Sequence, residues 1–189
     1  DIQVAPELTQ RLIDGTLPTL HGSRYFLFEP PHHVSLPRLN DIVKEALLAG
    51  FVPIITHPER LFYVETDYDI FVEAAHSGAW IQLTGGSLLG SFGRRAKSIS
   101  ERFLKDGITH LLASDGHNLE NRAPELASAR DAAVLLVGAE EADRLVQQRP
   151  AAVIANTGAD DISLPPGLGT NAQVAALETR SWFHKLFSR

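Results

Sequence analysis

The chain has 189 residues and a formal net charge of −6, with 17 Lys and Arg against 23 Asp and Glu. This length suits one domain with a sizeable core, and the acidic balance gives no general attraction to nucleic acid or to anionic membranes. The chain contains no Cys, which excludes disulfides, thiolate metal sites and a cysteine nucleophile. It has no apolar run of membrane-spanning length and no signal-peptide pattern, so we expect a cytoplasmic protein.

Buried strands alternate with helices along the chain. Runs of β-branched, aromatic and other apolar residues predict strands at residues 1–4, 25–28, 51–56, 79–83 and 109–113. Apolar residues at helical spacing predict helices at residues 7–13, 36–49, 68–77, 88–103, 124–137, 139–148 and 150–156. Each strand–helix unit takes about 30 residues, which is typical of a parallel sheet or barrel with helical connections.

The chain divides into a βα portion at residues 1–157 and an irregular C-terminal tail at residues 158–189, where Pro and Gly replace the periodic pattern. The end of the tail is basic and aromatic. It is compatible with an interfacial or partner-binding helix, or with a frayed terminus. The chain has no Met and opens at Asp1 within a predicted strand, so we expect it to begin partway through a larger fold.

Polar side chains follow two of the predicted strands. Asp115 and His117 come after the strand at 109–113, and an extended backbone would point both side chains to one side. His57 comes after the strand at 51–56, and Pro58 is expected to hold it extended. Because the carboxyl ends of parallel strands meet at one edge, these residues are candidate metal ligands. A Ser-Asp-Gly turn in which Asp115 caps a helix is the alternative.

Two arginines occupy analogous positions just beyond these candidate ligands. They are Arg60 and Arg122. A guanidinium group suits bidentate contact with phosphoryl oxygens, so the pair favours phosphate chemistry. Surface ion pairs with Glu59 or Glu120 are the alternative.

The remaining histidines are weaker candidates. His110 falls within a strand and is expected in the core, whereas His76 and His21 are expected on the surface. His32 and His33 lie in a Pro-rich loop that would border a substrate only if the loop folds over the site.

Two longer motifs resemble a known family. Residues 52–60 (Val-Pro-Ile-Ile-Thr-His-Pro-Glu-Arg) and 111–119 (Leu-Leu-Ala-Ser-Asp-Gly-His-Asn-Leu), followed by Arg-Ala-Pro at 122–124, resemble the CpsB/YwqE-type bacterial tyrosine phosphatases. These belong to the polymerase-and-histidinol-phosphatase (PHP) superfamily. The resemblance runs from Asp1 to about Thr157. It implies an α/β fold whose parallel βα repeats form part of a distorted (β/α)7 PHP barrel, with the N-terminal strands missing.

The resemblance also implies a site with two or three divalent metal ions, usually Mn²⁺ in this family. The implied metal ligands are Asp1, His57, Asp115 and His117. Asp1 stands where the family usually has a bridging glutamate, and Arg60 and Arg122 would bind the phosphoryl group. An Asp-x-His-x-His motif of the family's first strand has no counterpart in the chain, nor do a further histidine and glutamate that follow it in the family.

The implied function is metal-dependent hydrolysis of phosphotyrosine on a bacterial tyrosine kinase that regulates exopolysaccharide or capsule synthesis. The expected partner is the cytosolic tail of that membrane kinase, and homo-oligomer formation is left open. Three alternatives remain: a PHP-type phosphatase for a small molecule such as histidinol phosphate, a truncated non-catalytic remnant that binds a partner or oligomerises, and an α/β domain with coincidental histidines. The missing N-terminal ligands leave the activity of this chain alone open.

Overall fold

A five-stranded parallel sheet forms the centre of the computed structural model, which describes residues 2–3, 7–120 and 122–169. Each strand pairs with the next one along the chain. The strands are β1 Ile2–Gln3, β2 Tyr25–Glu29, β3 Val52–Thr56, β4 Trp80–Thr84 and β5 Leu111–Ala113. The predicted parallel α/β fold is thereby confirmed. Its sequential strand order is that of βα barrels, since a doubly wound sheet reverses its order near the centre.

Helices connect the strands and cover the sheet. They are α1 Leu8–Ile13, α2 Leu39–Leu48, α3 Tyr68–Ser77, α4 Gly85–Leu89, α5 Gly93–Lys105, α6 Ala127–Val137, α7 Ala139–Asp143 and α8 Arg149–Ile154. A π-helical stretch, Arg144–Gln148, joins α7 to α8, so helical backbone continues where two separate helices were predicted. None of the described helices has the length and apolar character needed to cross a membrane.

The single helix predicted at residues 88–103 is wrong, because α4 and α5 are separate helices. Gly90 ends α4 in the left-handed region with φ 91°, and Gly93 has φ 88°. Neither angle fits a helix interior, and glycine adopts both at little steric cost. The apolar spacing continues through Phe92, which lies in the connecting loop, and this continuity is why the pattern predicted one helix.

Neighbouring strand residues point to opposite faces of the sheet and build two cores. The larger core lies on the face covered by α1 to α6, and its strand residues include Phe26, Phe28 and Ile55. The smaller core on the other face contains Trp80 and is completed by Val153 of α8. Both faces of the sheet are therefore buried, so strand residues are mostly apolar. Polar side chains gather instead where the strands end.

The described part of the C-terminal tail, residues 158–169, packs against the rest of the chain. It contains two short 3₁₀ turns, Ala159–Asp161 and Pro166–Leu168, and Leu168 is buried in the larger core. The backbone N–H of Gly167 donates to the carbonyl of Gly107 over 2.9 Å. Apart from these turns, residues 158–169 have an irregular backbone. The basic aromatic end at 180–189 lies outside the described residues.

His110, predicted as a core residue, is buried just before β5. Its ring stacks on Trp80 with centroids 5.0 Å apart, and its Nδ1 accepts a hydrogen bond of 3.1 Å from the backbone N–H of Ile81. Burial, together with the charge of Arg149, holds the pKa of His110 well below its usual value of 6.5. The imidazole is therefore neutral in the folded chain.

We expect acid to destabilise the chain through His110. Below about pH 6.5 the unfolded chain takes up a proton at this histidine while the folded chain does not, so stability falls by about 1.4 kcal/mol per pH unit. His110→Asn keeps a hydrogen-bond acceptor without a titrating ring and should show a shallower loss. Urea unfolding of both chains between about pH 8 and pH 5.5 measures the difference. The exposed His21→Asn should keep the original slope, and equal slopes for all three chains would contradict the prediction.

Candidate metal and anion site

The candidate site lies at the edge of the sheet where the parallel strands end. Glu29 is the last residue of β2, His57 directly follows β3, and Asp115 lies two residues beyond β5. Because β2 to β5 are parallel neighbours, their carboxyl ends lie side by side. Glu29, His57 and Asp115 therefore lie at the same edge of the sheet.

A carboxylate and two imidazoles form one cluster at this edge. Oε1 of Glu29 lies 3.3 Å from Nε2 of His32 and 3.6 Å from Nε2 of His57, and the ligand atoms of all three residues lie within 4.8 Å of one another. Imidazole nitrogen and carboxylate oxygen are common ligands of divalent transition metals. The donor set and its spacing fit a metal ion held by Glu29, His32 and His57.

His57 differs from the prediction in its backbone. It has φ 36° and ψ 49°, in the left-handed region, rather than the extended conformation expected before Pro58. Its N–H still donates to the carbonyl of Gln82 on β4 over 2.8 Å, after which a 3₁₀ turn at Pro58–Arg60 begins. Sheet pairing and the following turn override the local preference, so the chain turns abruptly at the end of β3.

The ring of His57 is neutral at physiological pH. Burial, together with the positive charge of Arg60, lowers its pKa to about 4. A metal ion binds the neutral imidazole and competes with a proton for it. The low pKa therefore keeps His57 available as a ligand.

Asp115 joins both predicted phosphate-binding arginines. Its Oδ2 accepts a hydrogen bond of 2.8 Å from Nη1 of Arg60 and another from Nη2 of Arg122. Among the described ion pairs, that of Arg60 is with Asp115 and not the alternative one with Glu59. The carboxylate is only 15% exposed, which makes these pairs less screened than surface ion pairs. Two guanidinium groups consequently lie next to each other at this edge.

His117 lies beside Asp115, although the backbone between them is not extended as predicted. Asp115 has φ 51°, and Nδ1 of His117 lies 2.8 Å from the carbonyl oxygen of Asp115 and 3.8 Å from its Oδ1. A carbonyl oxygen only accepts, so Nδ1 of His117 is the donor in this contact. His117 is exposed and lies outside the Glu29, His32 and His57 cluster. The predicted ligand Asp1 lies outside the described residues.

Sequence reasoning did not select Glu29, and it gave His32 little weight. Glu29 ends a strand in the same way as the residues that were selected, but the two prolines after it suggested only a loop. The neighbouring His33 packs instead on Phe62, with ring centroids 4.7 Å apart. The position of Glu29 at the end of β2 could thus have indicated a site residue. The position of His32 depends on the path of the loop, which the sequence does not show.

Glu59 is another acidic residue near this edge that the sequence did not single out as a site residue. It is fully buried, and its Oε1 accepts a hydrogen bond of 3.0 Å from the N–H of Thr84 at the end of β4. Burial raises its pKa to about 7. The contact joins the loop after β3 to β4 and so helps to fix His57 and Arg60.

The fold and this edge define a parallel α/β protein with a candidate metal cluster beside an arginine pair. Residues 1–155 match the model of the family described as capsular polysaccharide synthesis, CpsB/CapC. The chain belongs to this family.

Named relatives agree with this assignment. Tyrosine-protein phosphatase YwqE of Bacillus subtilis is 34% identical over 124 residues, which cover 65% of this chain and 48% of YwqE. Tyrosine-protein phosphatase CpsB of Streptococcus pneumoniae is 29% identical over 159 residues, covering 82% of this chain and 65% of CpsB. The chain thus spans about half to two thirds of the length of these curated relatives.

The fold also matches a solved structure. A chain from a crystallographic description of YwqE and CpsB as unique metal-dependent tyrosine phosphatases superposes with a TM-score of 0.81 and 27% identity. The match covers 88% of this chain and 66% of the other.

We expect His32→Ala and Glu29→Gln each to weaken Mn²⁺ binding by at least about tenfold, because losing even an outer partner of a metal ligand costs that much. Free Mn²⁺, followed by electron paramagnetic resonance during a titration, gives the affinity. His33→Ala is the matched control, since this histidine contacts Phe62 and should bind Mn²⁺ as the unsubstituted chain does. Equal losses in the His32 and His33 variants would count against the cluster.

Proposed function

We propose that the chain is the main part of a metal-dependent protein-tyrosine phosphatase that hydrolyses phosphotyrosine on a bacterial tyrosine kinase regulating exopolysaccharide or capsule synthesis. One observation carries the proposal: the cluster of Glu29, His32 and His57 lies at the same sheet edge as an arginine pair held by Asp115. Candidate metal ligands beside two guanidinium groups suit metal-assisted hydrolysis of a phosphate ester. The names of the relatives support the choice of phosphotyrosine.

The metal ions would be held by residues of this edge. Glu29, His32 and His57 have the observed spacing, and Asp115, His117 and Asp1 are the further ligands that we propose. When bound, divalent ions lower the pKa of a coordinated water and offset the charge of phosphoryl oxygens. Two or three ions, and Mn²⁺ as the native metal, are proposed from the family resemblance. The remaining ligands would come from N-terminal strands that complete the distorted (β/α)7 PHP barrel.

Arg60 and Arg122 would bind the phosphoryl oxygens. Asp115 holds both guanidinium groups next to each other before a substrate arrives, so little side-chain entropy is lost on binding. The chain has no Cys, so no phosphocysteine intermediate forms. The proposed reaction is attack of water on phosphorus, which breaks the phosphorus–oxygen bond to tyrosine and releases tyrosine and inorganic phosphate, while the arginines orient the phosphoryl group.

The proposed partner is a phosphotyrosine-containing protein, in the first instance the cytosolic tail of a membrane tyrosine kinase. The site residues lie in and just after the ends of the strands, where binding residues are often found in folds of this kind. The cytoplasmic location and homo-oligomer formation remain predictions from the sequence.

The first experiment is hydrolysis of a phosphotyrosyl peptide by this chain with Mn²⁺ or with EDTA. We expect turnover with Mn²⁺ that is abolished by EDTA and by the His57→Ala substitution. If the chain alone is inactive, a longer protein carrying an Asp-x-His-x-His segment before Asp1 is assayed in the same way. Faster hydrolysis of histidinol phosphate would favour the small-molecule phosphatase, and inactivity of both proteins would leave a binding or oligomerisation role.

We expect Arg122→Lys to lower kcat/KM for the phosphotyrosyl peptide by about 10- to 100-fold in whichever protein is active. Lysine keeps the charge but loses the planar fork, and a hydrogen bond to a charged group contributes about 1.5–3 kcal/mol. Arg38→Lys is the matched control, because Arg38 is exposed and pairs only with its helix neighbour Asp41 among the described contacts. An unchanged kcat/KM for Arg122→Lys would remove this residue from the proposed site.

A further inference from the structure

Phe92 is an aromatic side chain next to the arginine pair that the proposed chemistry does not use. It lies in the loop between α4 and α5 and is 37% exposed. The guanidinium carbon of Arg60 lies 4.4 Å from the centroid of its ring, and that of Arg122 lies 5.8 Å away. Both distances are within the range of cation–π contact. The ring therefore borders the place where the two arginines would hold an anion.

The position of Phe92 is fixed by packing. A Cβ atom at Gly86 would lie 3.1 Å from Cε2 of the Phe92 ring, so the ring packs closely over a residue that has no side chain. Arg95, in the first turn of α5, donates hydrogen bonds of 3.2 and 3.0 Å to the carbonyls of Leu61 and Phe62. These bonds tie the start of α5 to the segment that follows Arg60. The exposed part of the ring is consequently presented at a defined place.

The geometry constrains what would lie against this exposed part. A phosphate ester held by Arg60 and Arg122 has its leaving group one bond beyond the phosphoryl group, and the ring of Phe92 is adjacent to both arginines. Aromatic rings attract each other at centroid distances of about 4.5–7 Å, beyond the effect of burying their area. An aliphatic leaving group has no ring and lacks this attraction.

We propose that Phe92 is a specificity-determining residue that contacts an aromatic leaving group and favours aryl over alkyl phosphates. This inference rests on the proposed function, because it takes the arginine pair as the phosphate-binding site. It concerns which ligands bind there and not the rate of hydrolysis. A different role is that Phe92 only positions the arginines through cation–π contact. In that role its loss weakens all phosphate ligands equally, so the ratio of two affinities separates the two roles.

The test measures the binding of phenylphosphonate and ethylphosphonate, which are not hydrolysed, to the Mn²⁺-loaded chain by calorimetry. We expect a preference for phenylphosphonate that Phe92→Leu reduces about two- to tenfold, the range of one aromatic pair. Leucine keeps an apolar side chain of similar size, and Phe92→Tyr, which keeps a ring, should restore the preference. Phe51→Leu is the matched control, because Phe51 precedes β3 at the opposite end of the sheet.

Each other outcome overturns the inference. An unchanged ratio in Phe92→Leu means that the ring does not contact the ligand, and an equal loss for both phosphonates assigns Phe92 to positioning the arginines. Failure of the unsubstituted chain to bind or to distinguish the phosphonates also contradicts it. Phosphotyrosyl-peptide turnover is measured separately, so a preserved binding preference without turnover by this chain or by the longer protein contradicts the proposed function alone.

Discussion

The carboxylate of Asp115 connects the parts of the candidate site. Its Oδ2 accepts hydrogen bonds from arginines in the loops after two different strands, β3 and β5. Two guanidinium groups repel each other in a partly buried place unless an anion lies between them. Asp115 supplies that anion in the folded chain. A phosphoryl group has the same charge sign and a similar arrangement of acceptor oxygens, so the contact prepares the arginines for such a ligand.

The turns at the strand ends explain how these side chains come together. His57 and Asp115 are both non-glycine residues in the left-handed region. That conformation costs about 1–2 kcal/mol per residue, so it persists only where other contacts hold it. His57 is held by its backbone hydrogen bond to Gln82, and Asp115 by its arginine partners. Two of the left-handed non-glycine residues of the described chain therefore lie where strands end at this edge.

The sequence predicted the parts of the fold that depend on local pattern. The helix at Tyr68–Ser77 has the predicted bounds, and the five strands lie within two residues of their predicted limits because apolar runs end sharply at a buried sheet. His57 and Asp115 were chosen as candidate ligands for the same reason, because each comes soon after the end of an apolar run. The division between α4 and α5 was missed, since the apolar spacing continues through Phe92.

The rest of the site depends on loop paths and tertiary contacts. His32 reaches the cluster only through the course of a Pro-rich loop, and the left-handed turn at His57 is set by pairing with β4. Glu29 could have been predicted as a site residue, because it lies at the end of a strand, as the predicted site residues do. A strand-end rule applied without regard to the following residues would have included it.

Arg60 and Arg122 occupy analogous positions in the sequence, but Arg60 interacts with more residues of the candidate site. Arg60 pairs with Asp115, lies over the ring of Phe92, and contributes the positive charge that helps to lower the pKa of His57. Arg122 also pairs with Asp115, but it lies farther from the ring of Phe92. Loss of Arg60 would therefore raise the pKa of a candidate metal ligand and also weaken the proposed anion binding. A substitution at Arg122 reports more directly on anion binding, because the causes of the low His57 pKa do not include it.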